Sequence, residues 1–301
     1  MSAKNNGAAK EEECCASCGI GGVDDIKLKK CIDCDSVRYC SDNCQRDHRP
    51  QHKQECIKRA AELRDEILFK QPESSYLGDC PICMIPLPIE PNKNIGMACC
   101  SKMICRGCNY ANQKREVEQS LKKTCPFCRH PLTKNGEEMD LMYMKRAEMN
   151  DPVALCQMGI RRHEVGDYKS AFEYHKKAAE LGDVGAHYLL SVLYRDGQGV
   201  EKDEKKQVHH LEVAAIGGHP FARCALGCVE ALNGRRERGV KHFIIAAKLG
   251  YDLALDALKL CYREGSLSKE DYAAALRAQQ AAVDDTKSPQ REAVEAALRQ
   301  K

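Results

Sequence analysis

The chain is 301 residues long, carries 47 Lys and Arg against 44 Asp and Glu, and holds 20 cysteines but no tryptophan. That length allows about two or three domains at roughly 100–200 residues each, and no stretch reaches the roughly 18 apolar residues of a membrane span. The formal net charge of +3 counts every cysteine as a neutral thiol; fifteen thiolates on four divalent ions would shift it by −7 to −4, so the basic balance is no signal for nucleic acid.

Fifteen cysteines fall between Cys15 and Cys128. This half has few long apolar runs and cannot fold on hydrophobic burial alone, so cross-links are expected. The opening residues, MSAKNNGAAKEEE, lack an apolar h-region, so no secretory leader is expected and residues 1–12 read as a disordered tail. In the reducing cytoplasm or nucleus, where the protein is then expected, clustered cysteines read as metal sites rather than disulfides.

From 13 to 58 the ligand-type residues run Cys15-x2-Cys18, x12, Cys31-x2-Cys34, x5, Cys40-x3-Cys44, x7, His52-x3-Cys56. Four close pairs supply eight ligands, enough for two tetrahedral zinc sites, and no single pair closes one. With Tyr39-Cys40-Ser41, Cys44-Gln45 and His52-Lys53 ahead of Cys56, the stretch resembles the MYND zinc finger. The resemblance implies interleaved pairs, with Cys15, Cys18, Cys40 and Cys44 on one zinc and Cys31, Cys34, His52 and Cys56 on the other. Cys14 lacks the spacing and reads as a spare; His48 reads as solvated. MYND fingers bind short Pro-containing peptides through a Gln and a Trp after the sixth cysteine. Gln45 stands at the first position and Arg49 at the second, so the flat wall for proline is missing and acidic partners are the alternative.

Residues 59–76 read as a helical linker, with Ala60, Leu63 and Ile67 at i, i+3, i+7, Arg64, Asp65 and Lys70 toward water, and QPESS ending the helix. Residues 77–134 carry Cys80-Pro-Ile-Cys83, x15, Cys99-Cys100, x4, Cys105-x2-Cys108, x16, Cys125-Pro-Phe-Cys128-Arg129. This second set of four pairs resembles a RING finger. Where that family often has Cys-x-His, this chain has Cys100 and Lys102, and an ammonium has no lone pair to offer a metal. An all-cysteine variant is implied, with Cys80, Cys83, Cys105 and Cys108 on one zinc and Cys99, Cys100, Cys125 and Cys128 on the other. Adjacent cysteines can share an ion only on a tightly turned backbone; His130 is the rival for the eighth place and Asp79 a weaker one. IPLPIEPNKN reads as an extended loop, and NYANQKREVEQSLKKT as a short helix packing through Tyr110, Val117 and Leu121.

A RING ubiquitin ligase supplies no nucleophile; it docks a ubiquitin-charged conjugating enzyme and orients its thioester. The resemblance places that docking on Ile82, Pro126 and Arg129, whose forked guanidinium suits two partners at once. No catalytic residue in the covalent sense is expected.

After a linker helix at 135–149, residues 150–285 repeat. KAAELGD (177–183), VAAIGGH (213–219) and IAAKLGY (245–251) align through Ala178, Ala214 and Ala246, with Ala281 next. Ala154, Ala186, Ala222 and Ala254 each stand four residues before Met158, Leu190, Leu226 and Leu258. A period of about 32–36 residues indicates stacked two-helix units. Gly182, Gly218 and Gly250 suit left-handed positions after second helices. Ala186, Leu190, Tyr194, Gly197, Gly199, Val200 and Asp203 resemble the Sel-1-like repeat, a tetratricopeptide relative that binds proteins. Cys156, Cys224, Cys228 and Cys261 read as core thiols. At 286–301, Ser288 and Pro289 open a closing helix.

DGQGVE follows no strand, RRHEVG lacks the second histidine of a zinc protease, and no Gly-x-Ser-x-Gly is present. The expectation is small zinc-stabilised α+β modules (MYND, RING cross-brace) followed by an all-α solenoid of helix-turn-helix repeats, binding four Zn2+. Its expected function is ubiquitin ligation on an unknown protein substrate, with a non-catalytic interaction scaffold as the alternative. Neither nucleic acid nor membrane is an expected partner.

Overall fold

A computed structural model of the chain describes residues 14–20, 27–133 and 135–299. The expected tail at 1–12 and the last two residues of the closing helix lie outside the described residues. The chain divides into two compact units, one ending at Lys70 and one beginning at Gln71.

In the first unit β1 (Lys29–Lys30) pairs antiparallel with β2 (Arg38–Tyr39), and α1 (Asp42–Leu68) follows. Ser41 caps α1 in extended conformation, its side chain accepting from Cys44 N. The buried cluster is Cys15, Cys31, Cys34 and Tyr39, so thiols take the place of a hydrophobic core. The helix runs unbroken past residue 58, so finger and linker share one element. Burial departs from the expected stripe: Leu68 is buried, whereas Ile67 is 58% exposed. Neighbouring helical positions lie about 100° apart, so an error of one residue turns the apolar face by more than a quarter.

The second unit opens with the second cysteine module. A 3-10 turn at Pro91–Lys93 leads into the hairpin of β3 (Asn94–Met97) and β4 (Lys102–Cys105), then α2 (Arg106–Glu118). Bridges Asp79–Pro86 and Thr124–Pro131 close the two Cys-x2-Cys loops on either side. Of the three residues expected to pack, Tyr110 is half-buried but Val117 and Leu121 are not. Val117 is 72% exposed, Leu121 lies beyond the helix and is 51% exposed, and the buried side presents Asn109, Asn112 and Glu116. The cause is a polar network: Glu116 Oε1 accepts from Thr124 N (3.0 Å), Thr124 Oγ1 (2.8 Å) and Asn112 Nδ2 (2.8 Å), which ties α2 to the last cysteine loop.

Ten helices follow among the described residues: α3 (Gly136–Glu148), α4 (Pro152–Glu164), α5 (Tyr168–Glu180), α6 (Val184–Asp196), α7 (Glu204–Ile216), α8 (Pro220–Leu232), α9 (Arg236–Lys248), α10 (Leu253–Arg263), α11 (Lys269–Asp284) and α12 (Pro289–Arg299). Aspartates 151, 167, 183 and 203 cap α4 to α7, and His219 Nδ1 caps α8 by accepting from Ala222 N. Ala154, Ala186, Ala222 and Ala254 are fully buried, with Met158, Leu190, Leu226 and Leu258 beside them. Ala178, Ala214 and Ala246 are likewise buried, but Ala281 is exposed and Ala275 takes the inner position on α11. In α11, which has 16 residues against 13 in α5, α7 and α9, the inner position thus falls six residues earlier than the repeat period places it. Gly182, Gly218 and Gly250 have φ of 88°, 83° and 92°, the left-handed conformation that glycine adopts without penalty. No helix among the described residues is long and apolar enough to cross a membrane.

The second cysteine module packs against the helical array at both ends. Ala98 joins the cluster of Tyr143, Ala147, Ala154 and Leu155, and Arg146 of α3 donates to Ser101 Oγ (2.8 Å) and Cys99 O (3.4 Å). At the far end α12 packs on α2. Between them, Tyr76 stacks on His219 at 4.2 Å between centroids, as Tyr188 does at 4.5 Å, and Tyr76 N donates to Gly218 O.

Candidate metal centres

Four groups of side chains converge, each with ligand atoms within 4.8 Å of one another: Cys15, Cys18, Cys40 and Cys44; Cys31, Cys34, His52 and Cys56; Cys80, Cys83, Cys105 and Cys108; Cys99, Cys100, Cys125 and Cys128. All sixteen expected ligands are in these groups. In both modules the first pair joins the third and the second joins the fourth. Cys14 and the exposed His130, Asp79 and Lys102 lie outside them. His48 is half-buried, not solvated, with Nδ1 3.1 Å from Tyr39 Oη.

The spacings suit zinc. Tetrahedral zinc with sulfur at about 2.3 Å separates neighbouring sulfurs by about 3.8 Å. Here Sγ–Sγ separations are 3.6 Å (Cys18–Cys40), 3.7 Å (Cys31–Cys56), 3.9 Å (Cys83–Cys105), 3.9 Å (Cys100–Cys125) and 3.4 Å (Cys99–Cys128). His52 Nε2 lies 3.1 Å from Cys34 Sγ, and every described cysteine is free of a disulfide.

The four Cys-x2-Cys loops starting at Cys15, Cys31, Cys80 and Cys125 share one turn. The residue after the second cysteine is left-handed in each, at φ 75° (Gly19), 56° (Asp35), 55° (Met84) and 61° (Arg129). Its N–H donates to the carbonyl of the first cysteine at 2.8–2.9 Å. The turn points both sulfurs to one side. Three of the four residues are not glycine and hold this conformation at a cost of about 1–2 kcal/mol each, so the surrounding contacts must fix it. Cys99 and Cys100 use a different device: Met97 O accepts from Cys100 N (3.2 Å) and Ser101 N (2.8 Å), and Ser101 has φ 53°. That turn brings adjacent cysteines to one point.

Crowding sets thiol against thiol. Burial works against ionising Cys15, but N–H groups of Cys18, Cys40 and Ser17 bring its pKa to about 6. Cys40, beside Cys44 and Cys18, is pushed up to about 12. The Cys105 side chain, with backbone donors, holds Cys80 at about 4 and is itself pushed up, while burial takes Cys108 to about 12. A divalent cation removes that competition because it attracts every thiolate at once.

The MYND finger family model matches residues 15–56, and the Sel1 repeat model matches 152–183, 184–219 and 222–251. The chain carries a MYND finger and Sel1 repeats. Together these make a zinc-binding and protein-interaction set. Among solved structures, a Sel1 repeat protein from Oxalobacter formigenes is 24% identical, covers 57% of this chain and 71% of its own, and gives a TM-score of 0.45. The protective antigen c5321 of uropathogenic Escherichia coli, which displays an SLR fold, is 22% identical over 64% of this chain and 40% of its own, with a TM-score of 0.40. This chain thus spans less than half of c5321. No curated protein matches it.

On the MYND finger a cavity of about 510 Å3 is lined by Tyr39, Gln45, Arg49, Lys53, Ala60 and Arg64 among others, with Asp33 the one acid among the described residues. Of the expected docking residues, Ile82 is 40% exposed and Arg129 is exposed, but Pro126 is buried. Arg129 Nη1 donates to Asn112 Oδ1 at 2.9 Å. Among the repeat cysteines, Cys156 is buried and Cys224 and Cys261 half-buried; Cys228 is exposed rather than in the core. None joins a metal-type group among the described residues. Sequence spacing gave no sign of Glu116, Arg146 or Arg291, which reach the cysteine loops from other elements.

Proposed function

We propose that the chain holds four Zn2+, two in the MYND finger and two in residues 77–134, and that the second module acts as an all-cysteine RING finger in a ubiquitin ligase. The ligands are the sixteen side chains named above, and each ion contributes about 10 kcal/mol to folding near neutral pH. The observation that carries the reading is the second module's interleaved pairing on a hairpin and a helix, with the same loop turn as the MYND finger. The zinc supplies cross-linking only. A charged conjugating enzyme docks on Ile82 and Arg129, and the gain in rate comes from orientation, with no covalent intermediate on this chain. The buried Pro126 shapes the loop. A protein substrate is held on the repeats or, through the cationic rim of Arg49, Lys53 and Arg64, on the MYND finger, which suits an acidic segment.

The burial of Pro126 and the bond from Arg129 to Asn112 favour a second reading, a scaffold that uses all three modules for protein contacts. Ubiquitin transfer from a panel of charged conjugating enzymes separates the two. Ligation predicts transfer by the zinc-loaded protein and a loss of about tenfold or more when Ile82→Ala and Arg129→Ala are combined, the effect of a contact worth about 1.4 kcal/mol. Inactivity of folded, zinc-loaded protein with every enzyme tried leaves the scaffold.

A further inference from the structure

We propose that Arg291, carried on α12 at the far end of the repeats, is a positioning residue for the Cys80/Cys83/Cys105/Cys108 site, and that the C-terminal helix thereby controls how firmly that site keeps its ion. The proposal rests on the reading that this cluster binds zinc.

This site is deeply buried, with Cys80 0%, Cys105 1% and Cys108 5% exposed. Four thiolates on Zn2+ leave a net charge of −2, and a buried charge is costly unless it is paired and hydrogen-bonded. Arg291 answers that need. Its side chain is 7% exposed, and Nη2 lies 3.5 Å from Cys83 Sγ. The fork is aimed by three carbonyls: Nη2 donates to Ile85 O (3.1 Å), and Nη1 to Pro86 O (2.7 Å) and Thr286 O (2.6 Å). Two of those carbonyls belong to the loop that follows Cys83, so one guanidinium holds both the ligand and the loop that presents it.

Two further contacts bring α12 to the same site. Gln290 Oε1 is 3.8 Å from Cys108 Sγ, and turning its amide would present an N–H donor to a Cys108 thiolate. A Cβ on Gly107 would stand 2.8 Å from Arg291 N and 2.9 Å from Gln290 C. Glycine at 107, between Cys105 and Cys108, is what lets the backbone of α12 lie against the start of α2. The Cys99 site is held differently: Arg146 reaches the carbonyl of Cys99, not its sulfur. An N–H donor on a metal thiolate fixes its rotamer and disperses its charge. Removing such a partner typically lowers metal affinity about 10–100-fold.

The test uses full-length, reduced, zinc-loaded protein, with ions counted by native mass spectrometry and zinc release to a chromogenic chelator followed in time. Wild type is expected to carry four ions. Arg291→Met is expected to lose one of them about 10–100-fold faster while the other three leave at the wild-type rate. Arg291→Lys, which keeps charge but not the fork, should fall between. Gly107→Ala, which lifts α12 from α2 and keeps the guanidinium, should speed release of the same single ion. A wild-type count below four overturns the zinc reading itself. A count of four with wild-type release in Arg291→Met and Gly107→Ala overturns the role of Arg291 alone, as does equal quickening of all four ions.

Discussion

Replacing Glu116 by alanine should loosen the second cysteine module more than any change on its apolar surface. The side chain is 2% exposed and accepts three hydrogen bonds, two from Thr124 and one from Asn112. Burial pushes its carboxyl up, yet donation from the Thr124 side chain, the Thr124 backbone and Asn112 holds it below the usual carboxylate range, so the group is ionised at neutral pH, with Oε1 accepting all three bonds. Glu116→Ala leaves the Thr124 N–H and O–H without an acceptor, while Asn112 Nδ2 keeps Thr124 O at 3.2 Å. Two unsatisfied donors on the half-buried Thr124, at about 1–3 kcal/mol each, give about 2–6 kcal/mol. Taking about 4 kcal/mol, and about 2–4 °C per kcal/mol for a unit of 150–250 residues, the unfolding midpoint of residues 71–301 should fall by about 8–16 °C. Glu116→Gln keeps one acceptor and loses the charge, so it should fall by roughly half as much. Calorimetry on zinc-loaded protein at neutral pH reads both. A drop under about 2 °C for Glu116→Ala would falsify the reasoning, because it would mean that water replaces the carboxylate at little expense.

Burial lowers the pKa of His175 to about 4 and of His219 to about 3, against about 6.5 unfolded. Their stabilisation is therefore complete above about pH 6.5 and drains as pH falls toward those values, at up to about 3 kcal/mol for His175; His175→Phe should flatten the pH 4–6.5 slope of the urea midpoint, and an unchanged slope counts against the assignment. Gly218 has φ 83°, and a Cβ there would stand 2.6 Å from Ser74 O. Gly218→Ala should then cost about 1–2 kcal/mol in backbone strain alone and free residues 72–76 from the repeats, seen as new protease cleavage within QPESSY; wild-type resistance would contradict it. Chelation should abolish amide protection around β1 and β2, whose buried neighbours are thiols and Tyr39, while α4 to α9 stay protected. Protected β1 and β2 in metal-free protein would refute a metal-held first unit.

What could be read in the sequence was whatever depends on spacing within one element or one turn. Cys-x2-Cys loops, the Ala-x3-Leu rows of the repeats and the glycines after second helices are local patterns, and each places its residues in the structure as the pattern implies. Apart from the one-residue slip of the α1 stripe and the exposed Cys228, the errors fall where a contact is long-range. Val117 and Leu121 look like a helix face, yet α2 turns Asn112 and Glu116 inward because Thr124, across a loop, offers donors that no helical period reveals. Ala281 continues the repeat period, but the longer α11 buries Ala275 instead. Arg291 stands 208 residues from Cys83, and no motif links them. Arg49 was legible as a departure from the MYND pattern; the cationic company it keeps with Lys53 and Arg64 follows from the turn of α1.

The contacts of residues 71–133 with the repeats change what an interaction module can mean here. Separate beads on a string would let the repeats and the second cysteine module move independently, and a linker would set only an effective concentration. Here Tyr76 is stacked on His219, Arg146 reaches the Cys99 turn, and α12 lies on α2, so repeats and module form one body. On the ligase reading proposed above, a protein held on the repeats would stand at a fixed distance and angle from Ile82 and Arg129. Catalysis by orientation gains from such rigidity, since its advantage comes from restricting freedom before reaction. The same contacts exact a limit. The ends of α6 and α8 near Tyr76 are already covered by the chain's own segment, so a partner of the repeats must use the surface that remains or displace residues 72–76.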